Sequence, residues 1–405
     1  MTSAKTFDFK KAAQHLAAGG DTEICVSGVY DAVYALSVKY GKDKKAFITA
    51  DEADYVNFGA AAVKAVKDAG AEYSVILSDG ETNGDMSELM NFAGGYVIVL
   101  SGGDVFSLSL FYADKYGADC HAVVSVPAQS GLFTGKISVY RGNVPKKYSV
   151  KPPRTAIVDL SLSSKRNPSD YSEAYISSVS LLLSLIDYKM RILVSGEKFD
   201  GKVYEDLKRA ALYGINFRGY ENYKDVLLFS SLLTEAVKSA SDSVTDCAAE
   251  LFSDVLVPLC PDLNNGERKL TAFKKLSAAY HFFFSNDFSD FTAVADYNSD
   301  LFALKKITGR NFIENVCVIS PRRRYLISEV LERTKKGLKS ETAAILLNLE
   351  KIIAAYLFLD KKGGKTESAD YFGVKTAMKL SPYLTDKTTV LSVMRDFGLL
   401  FSIKL

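Results

Sequence analysis

Hydrophobic and polar positions follow different rhythms in the two halves of the chain. EICVSG (23–28) leads into YDAVYALSVKYG, KAFITAD (45–51) into FGAAAVKAVKDAG, EYSVILS (72–78) into MSELMNFAG, and YVIVLSGGD (96–104) into VFSLSLFYADKYG. HAVVSVPA (121–128) reads as a further strand. Buried runs of Val, Ile and Leu separated by helices of about ten residues predict βαβ units, hence a doubly wound, mostly parallel sheet with helices on both faces. KPPR then breaks the chain, and TAIVDL is one last strand. From Ser169 onward the periodicity is helical, over 169–195, 203–213, 221–259, 267–285, 296–308, 321–336, 340–360 and 368–398. The expected organisation is an α/β domain with a Rossmann-like, doubly wound sheet over residues 1–164, then an all-helical domain over 165–405. A cleft between such halves is the default place for a ligand.

Composition narrows the function classes. The 50 Lys and Arg nearly balance the 48 Asp and Glu, leaving a net charge of +2 over 405 residues. No bulk field gathers nucleic acid or anionic lipid. The five cysteines form no CxxC or CxxH pair, which suits buried thiols in a reducing cytoplasm. The N-terminus lacks a secretory h-region, and the most apolar stretches, 177–194 and 343–359, are interrupted by charges, so no membrane span is expected. With only 3 His and no Trp, the chain has little material for metal sites.

Parallel sheets bind ligands at the carboxyl ends of their strands, which selects Asp51, the Ser101–Asp104 turn and the Ser125–Gly131 loop. Ser101-Gly102-Gly103-Asp104 lets the backbone approach a diphosphate at a helix N-terminus, although a Gly-Gly pair serves equally as a tight turn. Asp51 accepts from a ribose hydroxyl or caps the next helix. His15 reads as a surface or cap residue and His121 as structural; His281, in AAYHFFF, is the one histidine of the helical half. Ser130 has no GxSxG context, and Arg322-Arg323-Arg324 reads as a solvated helix face.

Taken in order, these segments resemble the dehydroquinate synthase-like superfamily, which includes the iron-containing alcohol dehydrogenases, glycerol dehydrogenases and sn-glycerol-1-phosphate dehydrogenases. KKAFITADEADYVNFGAAAVKAVKDAG is similar to the strand, "aD-x-nT" turn and helix of that group. ELMNFAGGYVIVLSGGDVFSLSLFYADKYG resembles its GGG[ST]xxD helix, VVSVPAQSG its VPTxxS loop, PPRTAIVDLSL its last strand, and LLLSLIDYKM its "lsDWk" segment. AMKLSPYLTDKTTVLSVMRDFGLL is most similar to the closing helices of glycerol-1-phosphate dehydrogenases. The resemblance implies NAD or NADP as cofactor, with Asp51 at the adenosine ribose, Gly102, Gly103 and Asp104 at the pyrophosphate, and Ser125, Val126, Pro127 and Ala128 beside the nicotinamide. It implies hydride transfer to a small, phosphorylated or polyol-type keto or hydroxy substrate, with a homodimer as a compatible assembly.

It also implies a divalent metal held by one Asp and two His, and here the ligands do not match. The acidic ligand falls near Ile176–Ser178, with Asp170 and Glu173 a turn or more short. Arg268 stands at the first histidine's place in NNGERKL, and His281 is the sole candidate for the second. Asp104 replaces the Thr of the GGGT turn and Ala128 the Thr of the VPT loop. Two readings follow: a divergent dehydrogenase in which His281 and Arg268 face the substrate, and a catalytically inactive paralogue that keeps the fold as a ligand-binding or interaction module.

Overall fold

Six of the short apolar runs form one parallel sheet. The computed structural model describes the chain apart from residues 1–4, 15, 17–20, 79–89, 125–126, 128–130, 142–143, 241–246, 287–299, 301, 304–305, 308–334, 361–370, 385–386, 397–398 and 402–405. His15, Ser125, Ala128, Ser130, Cys317 and the Arg322–Arg324 run therefore lie outside the described residues. The strands β1 (Glu23–Val26), β2 (Ala46–Ala50), β3 (Tyr73–Leu77), β4 (Tyr96–Val99), β5 (Asp119–Val123) and β8 (Thr155–Val158) align in the order β1-β8-β5-β4-β2-β3. Every residue of β2, β4 and β8 is buried, whereas the edge strands β1 and β3 are partly exposed. Strands covered on both faces need apolar residues at every position, which is why these read as continuous runs rather than alternations.

The pleat sends neighbouring side chains to opposite faces. Ile48 packs with Val33 of α2 (Val29–Tyr40) and with Ala62 and Val66 of α4 (Ala60–Asp68). The next residue, Thr49, points the other way, and its Oγ1 accepts from Ser109 of α5 (Gly103–Lys115) at 2.9 Å. Helices thus cover both faces, as the pattern predicts. A feature absent from that prediction is the antiparallel pair β6 (Lys136–Arg141) and β7 (Val144–Ser149), registered from Lys136↔Ser149 to Arg141↔Val144. Its signal in the sequence is the Gly142-Asn143 dipeptide between the two runs.

The chain divides into two units, Met1–Tyr171 with Asn216–Ala240, and Ser172–Ile215 with Ser241–Leu405. The first therefore includes α9 (Tyr223–Ala240), whose Phe229 ring lies 5.3 and 6.0 Å from those of Phe7 and Phe9. The second is helical: α7 (Ser172–Ser195), α8 (Gly201–Asn216, which crosses the boundary), α10 (Ala248–Leu259), α11 (Asn265–Ser285) and further helices over Lys335–Leu347, Leu349–Leu359, Tyr371–Leu380 and Val390–Asp396.

Several expected helices are interrupted. The run 221–259 is two helices, α9 and α10. The run 340–360 bends by 44° at Asn348, whose side chain donates to the Ala344 carbonyl at 2.8 Å and competes with the helical ladder. The run 368–398 breaks where Pro382 enters a 3-10 turn. Among the described residues no single helix is long and apolar enough to cross a membrane.

A buried carboxylate ties the helical unit together. Asp187 of α7, fully buried, accepts from Tyr280 Oη of α11 at 2.7 Å, from the Ala248 N–H opening α10 at 2.9 Å and from the Val390 N–H opening the helix over Val390–Asp396 at 2.8 Å. Two helix N-termini thereby receive a cap from a distant residue. The equally buried Arg191 donates to Thr388 O at 3.0 Å. Burial pushes the Asp187 carboxyl upward, against the pull of its three donors and Arg191.

Candidate functional site

Strand order locates the first site before any resemblance is invoked. The connection leaving β2 runs through α3 (Glu52–Asp54), a π-turn (Tyr55–Gly59) and α4 to β3 on one side, while the connection leaving β4 runs through α5 to β5 on the other. β2 and β4 are neighbours, so the chain reverses direction between them, and the carboxyl ends of these two strands are the switch point at which open α/β sheets bind ligands. Asp51 follows β2 and Ser101-Gly102-Gly103 follows β4. The Asp51 N–H donates to the fully buried Ser101 Oγ at 2.8 Å, at that switch point.

Asp51 is the N-cap of α3: its Oδ1 accepts from the Asp54 N–H at 2.7 Å. The capping alternative is therefore realised, with the carboxylate still at the strand end. Asp54, buried below it, pairs with Arg166 at 2.9 Å, and the Arg166 guanidinium lies 5.5 Å from the Phe58 ring centroid. Burial raises the Asp54 carboxyl, while Arg166 pulls it back.

Gly103 has φ +60, and a Cβ built there meets nothing within 4 Å. Its left-handed backbone opens space above the first turn of α5. Gly102, the N-cap, supplies no side-chain cap, so the helix presents its N-terminal donors. These features fit a nucleotide diphosphate. Asp104 does not: it is an exposed carboxylate in the first turn of the helix. Pro127 is buried beyond β5, between residues outside the described set.

In the helical unit, NNGERKL is an N-terminal capping box. Asn264 Oδ1 accepts from the Glu267 N–H at 2.9 Å, and Glu267 Oε2 accepts from the Asn264 N–H at 2.8 Å. Arg268 turns back to donate from Nη1 to the Leu263 carbonyl, with Nε buried and unpartnered among the described residues. The next residue, Lys269, faces α7: its Nζ donates to Glu173 Oε1 at 2.8 Å and to Ser177 Oγ at 2.9 Å. Sequence reasoning did not single out Lys269. Its signal is the Asn265–Lys269 pair, one turn apart on the same helix face.

The structure does not bring Arg268 and His281 together. Thirteen residues of uninterrupted helix separate them by about 20 Å. His281 lies near Thr342 Oγ1 (Nδ1, 3.4 Å) and Ser285 Oγ (Nε2, 3.4 Å). Asp170 lies 3.9 Å from Arg166, and Glu173 is engaged by Lys269. Among the described residues no group of three or more His, Cys, Asp or Glu is placed to hold a metal ion. The donor set around residues 173–177 contains an ammonium, so it does not fit a divalent cation.

His121 is the middle residue of β5 (Asp119–Val123), away from the carboxyl ends that carry Asp51 and Ser101. Its Nε2 lies 2.9 Å from Tyr40 Oη, which donates its single proton to Asp119 Oδ2 at 2.9 Å. The hydroxyl must then accept from Nε2–H, which leaves Nδ1 as a bare lone pair, buried without a partner among the described residues. Burial pushes the His121 imidazole down to about 4, with Asp119 opposing and Lys39 and Arg154 assisting.

No protein-family model and no curated protein sequence matches the chain. Solved structures do. An archaeal halo-thermophilic alcohol dehydrogenase from a Red Sea brine pool is 12% identical, with TM-score 0.60, over 95% of this chain and 98% of that one. An iron-containing alcohol dehydrogenase from Thermotoga maritima is 10% identical, with TM-score 0.58, over 94% and 97%. An NADH-dependent butanol dehydrogenase from the same organism is 15% identical, with TM-score 0.52, over 89% and 97%. At these identities the likeness shows the fold: a parallel sheet followed by a helical region, as in the iron-containing alcohol dehydrogenases.

Proposed function

We propose that the chain is an NAD(P)-dependent oxidoreductase that moves a hydride between a nicotinamide and a small hydroxy or keto substrate, with glycerol-1-phosphate-type and polyol compounds as the first candidates. The observation that carries this reading is the switch point between β2 and β4, where the Asp51 N–H meets Ser101 and the open Gly102-Gly103 turn begins α5. There, the second oxygen of Asp51 receives a ribose hydroxyl and the first turn of α5 receives the diphosphate. Ser125, Pro127 and Ala128 are assigned to the nicotinamide side. The likeness to an NADH-dependent butanol dehydrogenase supports the same assignment. When bound, the cofactor supplies the hydride; the chain's part is to orient it and to hold the substrate oxygen.

A second reading is favoured by one residue. The Asp104 carboxylate sits in the first turn of α5, where a diphosphate would meet like charge. Repulsion between unit charges about 4 Å apart near a protein surface costs about 1–4 kcal/mol. On this reading the chain is a catalytically inactive paralogue that keeps the fold for binding or interaction. One titration separates the two. The oxidoreductase reading expects saturable quenching or enhancement of NADH or NADPH fluorescence, then nucleotide consumption with dihydroxyacetone phosphate or a polyol ketone. Binding of neither nucleotide overturns it.

A further inference from the structure

Glu173 and Ser177 are one turn apart on α7, and Asn265 and Lys269 one turn apart on α11, so each pair lies along one face of its helix. The faces meet. Lys269 Nζ donates to Glu173 Oε1 and Ser177 Oγ, and Asn265 Nδ2 donates to the same Glu173 oxygen. The Lys269 and Glu173 side chains keep 26% and 31% of their exposure, so the cluster opens outward. An ammonium carries three donors, and two are spent on α7.

The resemblance places a metal's carboxylate at residues 176–178 and its first histidine beside Lys269. The structure brings those two stretches together at 2.9 Å, but through a hydroxyl and an ammonium. A lysine ammonium has no lone pair for a metal, and its charge repels one. We propose that Lys269 is a built-in cation standing in place of a divalent ion: the chain takes no metal at this position, and the third N–H of Lys269 holds the electron-rich oxygen of a small hydroxyketone. The identity of the substrate rests on the oxidoreductase reading; the absence of metal binding does not.

Three measurements test this on the full chain. Titration calorimetry with Zn²⁺ and Ni²⁺ gives no saturable binding in the wild type; a one-per-chain site that Glu173→Gln abolishes overturns the proposal. The double variant Ser177→Asp with Lys269→His gains saturable, one-per-chain Zn²⁺ binding that the wild type lacks. No gain, in a variant that keeps the wild-type circular dichroism and melting temperature, overturns the placement. Saturation-transfer NMR with dihydroxyacetone shows binding that falls at least tenfold in Lys269→Met and survives in Lys269→Arg. Equal signals in wild type and both variants mean that the cluster is a helix tie only, and overturn the substrate role. Nucleotide fluorescence is read separately, so failure of the oxidoreductase reading leaves the two metal arms standing.

Discussion

His121 gives the most quantitative prediction, because its environment fixes both its tautomer and its charge. It is only 2% exposed, and its Nε2–H is held by a Tyr40 hydroxyl whose own proton goes to Asp119. Protonating Nδ1 would bury a charge with no acceptor facing it, so the imidazole is pushed down from 6.5 to about 4. A base whose folded pKa is depressed contributes stability above its unfolded pKa and loses it as pH falls toward the folded one. The full depression is worth about 3 kcal/mol, most of which is gone by pH 4.5. Urea unfolding of wild type and His121→Gln at pH 7.5 and pH 4.5 reads this difference: the wild type should lose about 2–3 kcal/mol more than the variant over that interval. With three histidines in the chain, the imidazole proton resonances can be followed directly. A His121 titration midpoint near 6.5, or equal acid losses in the two proteins, refutes the reasoning.

Other residues carry further expectations. Asp187→Asn removes a carboxylate that accepts from Tyr280 and two helix N–H groups and sets an amide N–H₂ against one of them, so unfolding in urea should show a loss of about 1–3 kcal/mol; no measurable loss contradicts the hub. Asp104→Asn removes the like charge from the first turn of α5, and NADH affinity should rise about 5- to 30-fold, equivalent to about 1–2 kcal/mol; unchanged affinity removes Asp104 from the diphosphate site. Gly103→Ala should cost about 1–2 kcal/mol for an L residue in the left-handed region. It should also weaken nucleotide binding at least tenfold while circular dichroism stays unchanged, and undiminished binding disproves the cradle.

The elements of the sheet were legible because they depend on local pattern. Each apolar run predicted as a strand over residues 23–160 overlaps an observed one, β5 beginning two residues before its run and ending at Val123, and the strands buried at every position are β2, β4 and β8. Helix interruptions were harder to read. The bend at Asn348 depends on one side chain choosing a carbonyl rather than water, and the break after Leu380 on a proline that alone could equally have opened a new helix.

For the candidate sites, the sequence by itself determined which residue types are present: Asp51, the Gly102-Gly103 pair, and a shortage of histidine that leaves the expected metal ligands unmatched. Tertiary structure decided which of them meet. Strand order put Asp51 and Ser101 side by side although they are 50 residues apart, and Asp187 reached two helix ends no local pattern connects to it. On α11 the outcome turned on a single residue. Successive helical side chains are rotated by about 100°, so the capping box at Asn264 and Glu267 sets the register in which Arg268 folds back on Leu263 while Lys269 faces α7. That rotation is invisible until a second helix supplies the direction in which a side chain must point.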